Sequence, residues 1–505
     1  MNIIKKIHII ILLSICSLMG TNAQNSINDS ITIMLQQLQR EQKPMANYRL
    51  SSVNINKKKK IIQINLTESF ATIVFKESFI DSLKAKIRQF LPKEQKKYTI
   101  NIFAGGEDIT NLVPNIYRHH IEKDRRRLTK SNKHGKSFVK NTSKPINIDE
   151  GLNNRNIALW NSHGWYYEQR FDRWERQRAR LLTTVEDKFS TQMVMSYLLP
   201  MLENAGAYVL LPRERDIQTD MIICDNDSSW DTKGSSSGYK LYGDKANILT
   251  DSIVGFANRQ EVYIDRQNPF VMGRAVAVKT EKRASTWIDY TPNLTKAGWY
   301  SVSVAYRSIA DGIEDAHYKV CHSGGTTDIV VNQTIGGGTW VYLGTFFFDP
   351  DDTEAHRKVI LSNESHKVDG TVVADAVKFG GGMGNIARRP ATQATIDSIP
   401  DETVRSKTKL ISTFTKERYT TSQRAKFWEG ARYYLQWAGM PFEIYSHTYG
   451  INDYTDDYAS RGKWVNYLNY GSVNAPDYEG LSIPIDLSLA FHSDAGIDTA
   501  STVGS

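Results

Sequence analysis

The chain has 505 residues, 40% of them hydrophobic, with a formal charge of +8. At roughly 100 to 200 residues per domain this length suggests about three or four domains with packed cores. The charge fits attraction to an anionic envelope or wall but demands no nucleic acid partner, and the small number of cysteines excludes a disulfide-dense scaffold.

Residues 1–24 read as a secretory signal. Lys5 and Lys6 form a basic start, Ile9 to Met19 an apolar core too short to span a bilayer, and Thr21-Asn22-Ala23 a small-residue cleavage site before Gln24. Cys16 follows the bulky Ile15, so a lipoprotein anchor is not expected. No other stretch approaches transmembrane length, and the mature protein is expected outside the cytoplasm, secreted or periplasmic. Residues 25–121 look like a small α/β domain. Ile31 to Leu38 and Ser78 to Leu91 have helical patterns, while Ile61 to Leu66, Ala71 to Phe75 and Tyr98 to Phe103 read as strands. Lys57 to Lys60 suit a solvated hairpin tip, and the pair His119-His120 a surface rather than a metal. Residues 122–148, with Arg125-Arg126-Arg127, are a basic polar linker.

Ile157 to Trp160 is a short apolar run that suits a buried strand, and His163-Gly164 stands at its end, where open α/β sheets place their sites. Thr183 or Thr184 is a plausible N-cap for the next helix, with Glu186 three residues after Thr183 as in a capping box. Phe189, Met193, Tyr197 and Met201 recur at helical spacing. Pro200 should kink or shorten this helix and Gly206 stop it. Tyr208 to Leu211 is a second β-prone run, completing a βαβ unit.

From Ala275 onward the texture changes to short alternating runs split by turn residues: Trp299 to Tyr306, His317 to Cys321, Ile329 to Val331, Trp340 to Phe348, Val359 to Leu361 and Val372 to Phe379. Such spacing predicts an antiparallel β-sandwich. Trp299 and Trp340 lie in alternating strands and read as its core rather than as sugar-stacking platforms. Asp375 reads as a buried structural acid or a turn residue, and Cys224 and Cys321 as unbridged. The stretches A-G-W-Y, V-N-Q-T-I-G-G-G-T-W-V-Y-L-G-T-F and V-V-A-D-A-V-K-F-G-G-G-M-G, within residues 285–386, resemble golvesin-like domains, often labelled xanthan-lyase-type domains in envelope proteins. That resemblance implies a jelly-roll-like module with carbohydrate contact, not lyase chemistry. The module is expected to fold with its own core.

Beyond it, Trp428, Ala431, Leu435 and Ala438 share one face of a helix ended by Gly439-Met440-Pro441. Asn452 to Tyr458 is acidic and aromatic, a groove lining or a loop. Ile483 to Phe491 is strand-like, and His492 follows at once. Two histidines thus stand just after strands, with a carboxylate opening a helix between them. Two imidazoles and one carboxylate can hold a catalytic zinc with one position left for water.

The strings N-S-H-G, T-V-E-D, A-G-A-Y-V-L-L-P-R-E-R-D and L-A-F-H-S-D-A-G resemble the zinc-dependent N-acetylmuramoyl-L-alanine amidases of the type 3 family. Arg461 and Asn466 fit an Arg followed five residues later by Asn that this family often carries before its last strand. The resemblance implies Zn2+ held by His163, Glu186 and His492, and hydrolysis of the amide between N-acetylmuramic acid and L-alanine in peptidoglycan. The gap from His163 to Glu186 is longer than the family's and holds a charged insertion around Arg170 to Arg180, which leaves Glu168 and Glu175 as rival ligands. Leu-Pro also replaces the family's Leu-Thr before Arg213. The family's general-base Glu has no match, and it is expected beyond Ser505, as though the chain were truncated within its catalytic domain. The expected fold is therefore α/β: a zinc amidase-like open sheet with helices on both faces, formed by residues 149–220 and 401–505 and interrupted by a golvesin-like β-sandwich over 221–400. The partner is peptidoglycan or another envelope glycan. The alternative is a non-catalytic wall- or polysaccharide-binding envelope protein. A polysaccharide lyase would need a Tyr/His or Arg constellation that has no place in this sequence.

Overall fold

The computed structural model describes residues 27–42, 47–114, 117–118, 137–144, 151–180, 184–231, 237–409, 418–469 and 480–493. The expected signal, Thr183, His119-His120 and the arginines of the linker lie outside them. Among the described residues no helix is long and apolar enough to cross a membrane. Two compact units form, the first within Met1–Asn132 and the second spanning Lys133–Ser493.

In the first unit, Leu50–Asn56 pairs antiparallel with Ile61–Leu66, which pairs parallel with Thr99–Ala104. The four lysines 57–60 form the exposed hairpin tip between the first two strands. Helix 27–42 buries Ile27, Ile31, Met34, Leu35 and Leu38, and helix Glu77–Phe90 buries Ile80, Leu83 and Ile87, the one-sided spacings of amphipathic helices. The strand expected over Ala71 to Phe75 is absent; Glu68–Thr72 is a 3₁₀ turn instead. Phe70 and Phe75 are both buried. Five positions apart, they would point to opposite faces of a strand, whose side chains alternate.

The second unit is built around a three-stranded parallel sheet in the order Leu487–Ala490, Asn156–Trp160, Tyr208–Leu210. The central strand is followed by a crossover to one neighbour, and the last strand returns on its other side. The crossover helix runs Glu186–Met193 in α form, Val194–Leu198 as a π turn and Leu199–Asn204 in α form again. Pro200 accounts for the break, because it lacks an N–H and its ring collides with the preceding turn. Gly206 ends the segment at φ +103°. Two expectations are corrected here. The residue before the helix is Val185, without a side-chain cap, because Glu186 turns its carboxylate toward the strand ends instead of closing a capping box. Phe189, Tyr197 and Met201 are exposed, and the inward face is Ser190, Thr191, Val194 and Leu199.

The all-β region forms antiparallel sheets. One orders Ile222–Cys224, Val377–Phe379, Gly298–Val304 and Val341–Phe348. Another orders Tyr239–Gly243, Thr286–Tyr290, Lys358–Ser362, Ala316–His322 and Gly325–Val331, with Val139–Asn141 at its edge. That edge strand comes from the stretch read as linker. A third sheet joins Ile248–Gly255, Gly273–Lys279 and Thr371–Ala374. Asp375 lies buried at the break between Thr371–Ala374 and Val377–Phe379, where the Phe256 N–H donates to its carboxylate at 3.0 Å. Cys224 and Cys321 are buried and unbridged.

The sandwich does not have a core to itself. Val302, Val320, Val359 and Phe379 belong to the same buried cluster as Ala158, Leu435 and Trp464 of the α/β part. The α/β part also seals the joint with buried charge: Arg388 binds Asp453 and Asp265, and Arg432 binds Asp265. Trp340 is core, packed against Phe256 and Phe270 at 4.8 and 5.2 Å between ring centres. Trp299 is not, and stands 64% exposed. It is out of phase with the inward residues Tyr300, Val302 and Val304 of its strand. Trp428 likewise sits outside the helix Ala431–Trp437, in a short turn before Gly430, and is exposed. Asn452 to Tyr458 is no loop. It opens the helix Asp453–Leu468, and Asp453, Asp456 and Asp457 are all buried.

Candidate metal centre

The three parallel strands end on one side of the sheet, and the crossover helix starts there. His163 comes off the central strand, His492 off its neighbour, and Glu186 is the first residue of the helix. The fold therefore brings together residues far apart in the chain: one ligand atom from each lies within 4.8 Å of the others. His492 Nδ1 is 3.0 Å from Glu186 Oε1, and His163 Nε2 is 3.9 Å from Glu186 Oε2. The two imidazole rings are 4.9 Å apart.

Surrounding groups fix these three. Ser162, in left-handed conformation at φ +65°, turns its hydroxyl to donate to Glu186 Oε1 at 2.9 Å, and the Ser493 N–H donates to the same oxygen at 3.2 Å. Arg178 Nε stands 3.2 Å from Glu186 Oε2. Arg461 reaches His163 Nδ1 at 3.0 Å and is ion-paired with Asp457. Arg213, fully buried, donates to the carbonyls of Asn161, His163, Phe427 and Glu429, and so ties the strand end to the turn before helix Ala431–Trp437. Gly164 lies so close to that turn that a Cβ would fall 2.6 Å from the carbonyl carbon of Glu429.

Burial depresses the His163 imidazole to about 3, and the neighbouring Arg461 cation adds to the effect. This ring is neutral at any ordinary pH. Burial pushes the Glu186 carboxyl up, but the Ser162 hydroxyl, His492 and the Ser493 N–H help to hold the group below its usual range. The site thus offers one carboxylate and one imidazole already in the protonation states that metal binding requires. His163 Nε2 is buried without a hydrogen-bond partner among the described residues, while Glu186 Oε2 is ion-paired with Arg178. A buried ring nitrogen without a partner is costly unless something else satisfies it. Because Arg461 can only donate, Nδ1 of His163 accepts here, and ligation through Nε2 requires Arg461 to draw back toward Asp457.

The rival carboxylates lie elsewhere. Glu168 is paired with Arg170 and Glu175 with Arg173, and both accept from the Tyr166 hydroxyl, on the hairpin formed by Trp165–Glu168 and Arg173–Arg176. The charged insertion is this hairpin. The amidase-like strings point to Arg461 by its spacing and include Arg213, but they assign no role to Ser162, Arg178 or Asp457.

Residues 266–381 match the family model of the golvesin C-terminal domain. A xanthan lyase from Bacillus sp. (strain GL1) is 37% identical over 93 residues, covering 18% of this chain. The chain spans about a tenth of the length of that curated relative. A solved structure of Paenibacillus xanthan lyase aligns with 24% identity and a TM-score of 0.24, covering 32% of this chain and 13% of the other. The segment 266–381 of this protein is a golvesin-like domain.

Proposed function

We propose that this protein is a secreted or periplasmic zinc-dependent amidohydrolase that cleaves the amide between N-acetylmuramic acid and L-alanine in peptidoglycan. The observation that carries the reading is the convergence of His163, Glu186 and His492 at the strand ends, with His163 Nε2 buried and without a hydrogen-bond partner among the described residues. These three residues would hold the ion. When bound there, zinc supplies a Lewis acid for the amide carbonyl and lowers the pKa of a bound water to about 7. The protein's own contribution is orientation and charge. Ser162 and the Ser493 N–H aim the Glu186 carboxylate, burial and the Arg461 cation keep the His163 ring neutral, and Asp457 anchors Arg461. Arg178 adds positive charge beside Glu186. No general base is assigned among the described residues.

A second reading, a wall- or polysaccharide-binding protein without catalysis, is favoured by the golvesin-like sandwich. Two measurements separate them. Metal analysis of the full chain should find one zinc per molecule, lost in Glu186→Gln, and the zinc-loaded protein should release stem peptides from wall fragments. Retention of wall material without release would leave the binding reading. Failure to take up zinc at all would overturn the metal centre.

A further inference from the structure

Beside the strand ends, the crossover helix, the sandwich strand Gly298–Val304 and the turn Lys426–Trp428 border an open groove of about 1140 Å³. Three tryptophans line it: Trp165, half-buried, and the exposed Trp299 and Trp428. Arg176, Lys188 and Arg424 stand on the same walls. The Arg424 guanidinium lies 3.7 Å from the centre of the Trp165 ring, and that of Arg176 lies 5.7 Å from it. Stacking on an indole holds a weakly hydrated cation in place without a carboxylate. Among the described residues none of these three cations has an acidic partner within ion-pair reach, whereas Arg170, Arg173, Arg178 and Arg215 nearby each have one. The acid in the groove wall, Asp216, is turned inward and accepts from the Ser301 N–H at 2.6 Å and the Gln218 N–H at 2.8 Å. The free charge of the groove is therefore positive.

We infer that this groove binds a carboxylate-bearing saccharide chain. Flat indole faces suit the C–H faces of sugar rings, and unpaired guanidinium and ammonium groups between them suit carboxylates spaced along the chain. A volume above the usual range for small-molecule sites, roughly 300 to 1,000 Å³, fits several linked sugars better than one. The inference stands apart from the amidohydrolase reading, because none of the groove residues named is a proposed metal ligand. Trp165 nonetheless lies two positions beyond His163, and its carbonyl accepts the Gly430 N–H at 2.8 Å. A chain in the groove thus passes close to the candidate centre.

The test is equilibrium binding of the full chain, in zinc-free buffer, to hexagalacturonate and to the neutral maltohexaose. Trp299→Ala and the double variant Arg176→Gln/Arg424→Gln change solvent-facing side chains, and their thermal unfolding confirms folding. Hexagalacturonate should bind about tenfold more tightly than maltohexaose, each variant should weaken it by about tenfold, and added salt should weaken it further. Glu186→Gln should bind it as the wild type does, so that a failed metal centre leaves the groove intact. Equal affinity for both sugars, unchanged affinity in both variants, loss of binding in Glu186→Gln, or tighter binding of a single-stranded oligothymidylate would each overturn the inference.

Discussion

Lys378 lies on the sandwich strand Val377–Phe379, and Glu214 follows the parallel-sheet strand Tyr208–Leu210. Their ion pair, at 3.0 Å with both side chains 1% exposed, crosses from one layer to the other. At that distance and an effective dielectric of about 20, the attraction is about 5 kcal/mol. Glu214 also accepts the N–H groups of Arg215 and Asp216, and Lys378 donates to the Gly380 carbonyl. Lys378→Met strands the carboxylate in the interior, and breaking a buried pair in this way costs about 3 to 5 kcal/mol. Adding Glu214→Gln should recover much of that loss, because the amide oxygen still accepts both N–H groups and no charge remains buried. Urea unfolding, followed by tryptophan fluorescence, measures all three proteins, and every tryptophan lies in the second unit. A single transition is expected, since sandwich and α/β residues share one core. A double variant no more stable than Lys378→Met would refute the pairing argument, and separate transitions in the wild type would refute the shared core.

Two further outcomes follow from buried groups. Burial raises the Asp375 carboxyl to about 8, against about 4 in an unfolded chain, so its contribution to stability is full below about pH 4 and is lost as pH rises through about 8. The thermal midpoint of Asp375→Asn should therefore decline less between these limits than the wild type's, and an identical slope would contradict the shift. Gly164→Ala pushes a methyl into the Glu429-Gly430 backbone, a clash that should cost about 1 to 3 kcal/mol. It should also weaken zinc uptake about tenfold by displacing His163, and undiminished zinc affinity in that variant would show that the Gly164 contact does not position the ring.

Local chemistry made much of this legible. Alternation along the sandwich strands, the apolar run Ile157 to Trp160, and Pro200 and Gly206 in the crossover each act through neighbouring residues, and they appear where sequence places them. The failures have causes that lie beyond neighbouring residues. Phe70 and Phe75 share a core that only a turn can serve, and Trp299 belongs to a well-read strand whose phase depends on which face the other sheet covers. Asn452 to Tyr458 reads as an acidic groove lining or a loop because its partners Arg388 and Arg432 lie elsewhere in the chain.

By itself the sequence determined the character of each piece: a βαβ unit with a histidine at a strand end, a sandwich segment of golvesin type, and a second histidine after a distant strand. Periodicity and turn residues suffice for these, because they express backbone geometry over a few positions. The tertiary structure alone decided that Leu487–Ala490 pairs alongside Asn156–Trp160, so that His492, His163 and Glu186 meet. It also decided that the sandwich fuses with the α/β layer and leaves Trp165, Trp299 and Trp428 around one groove. Pairing between strands some three hundred positions apart is settled by which buried faces and charges complement one another, and that information is spread over the whole chain.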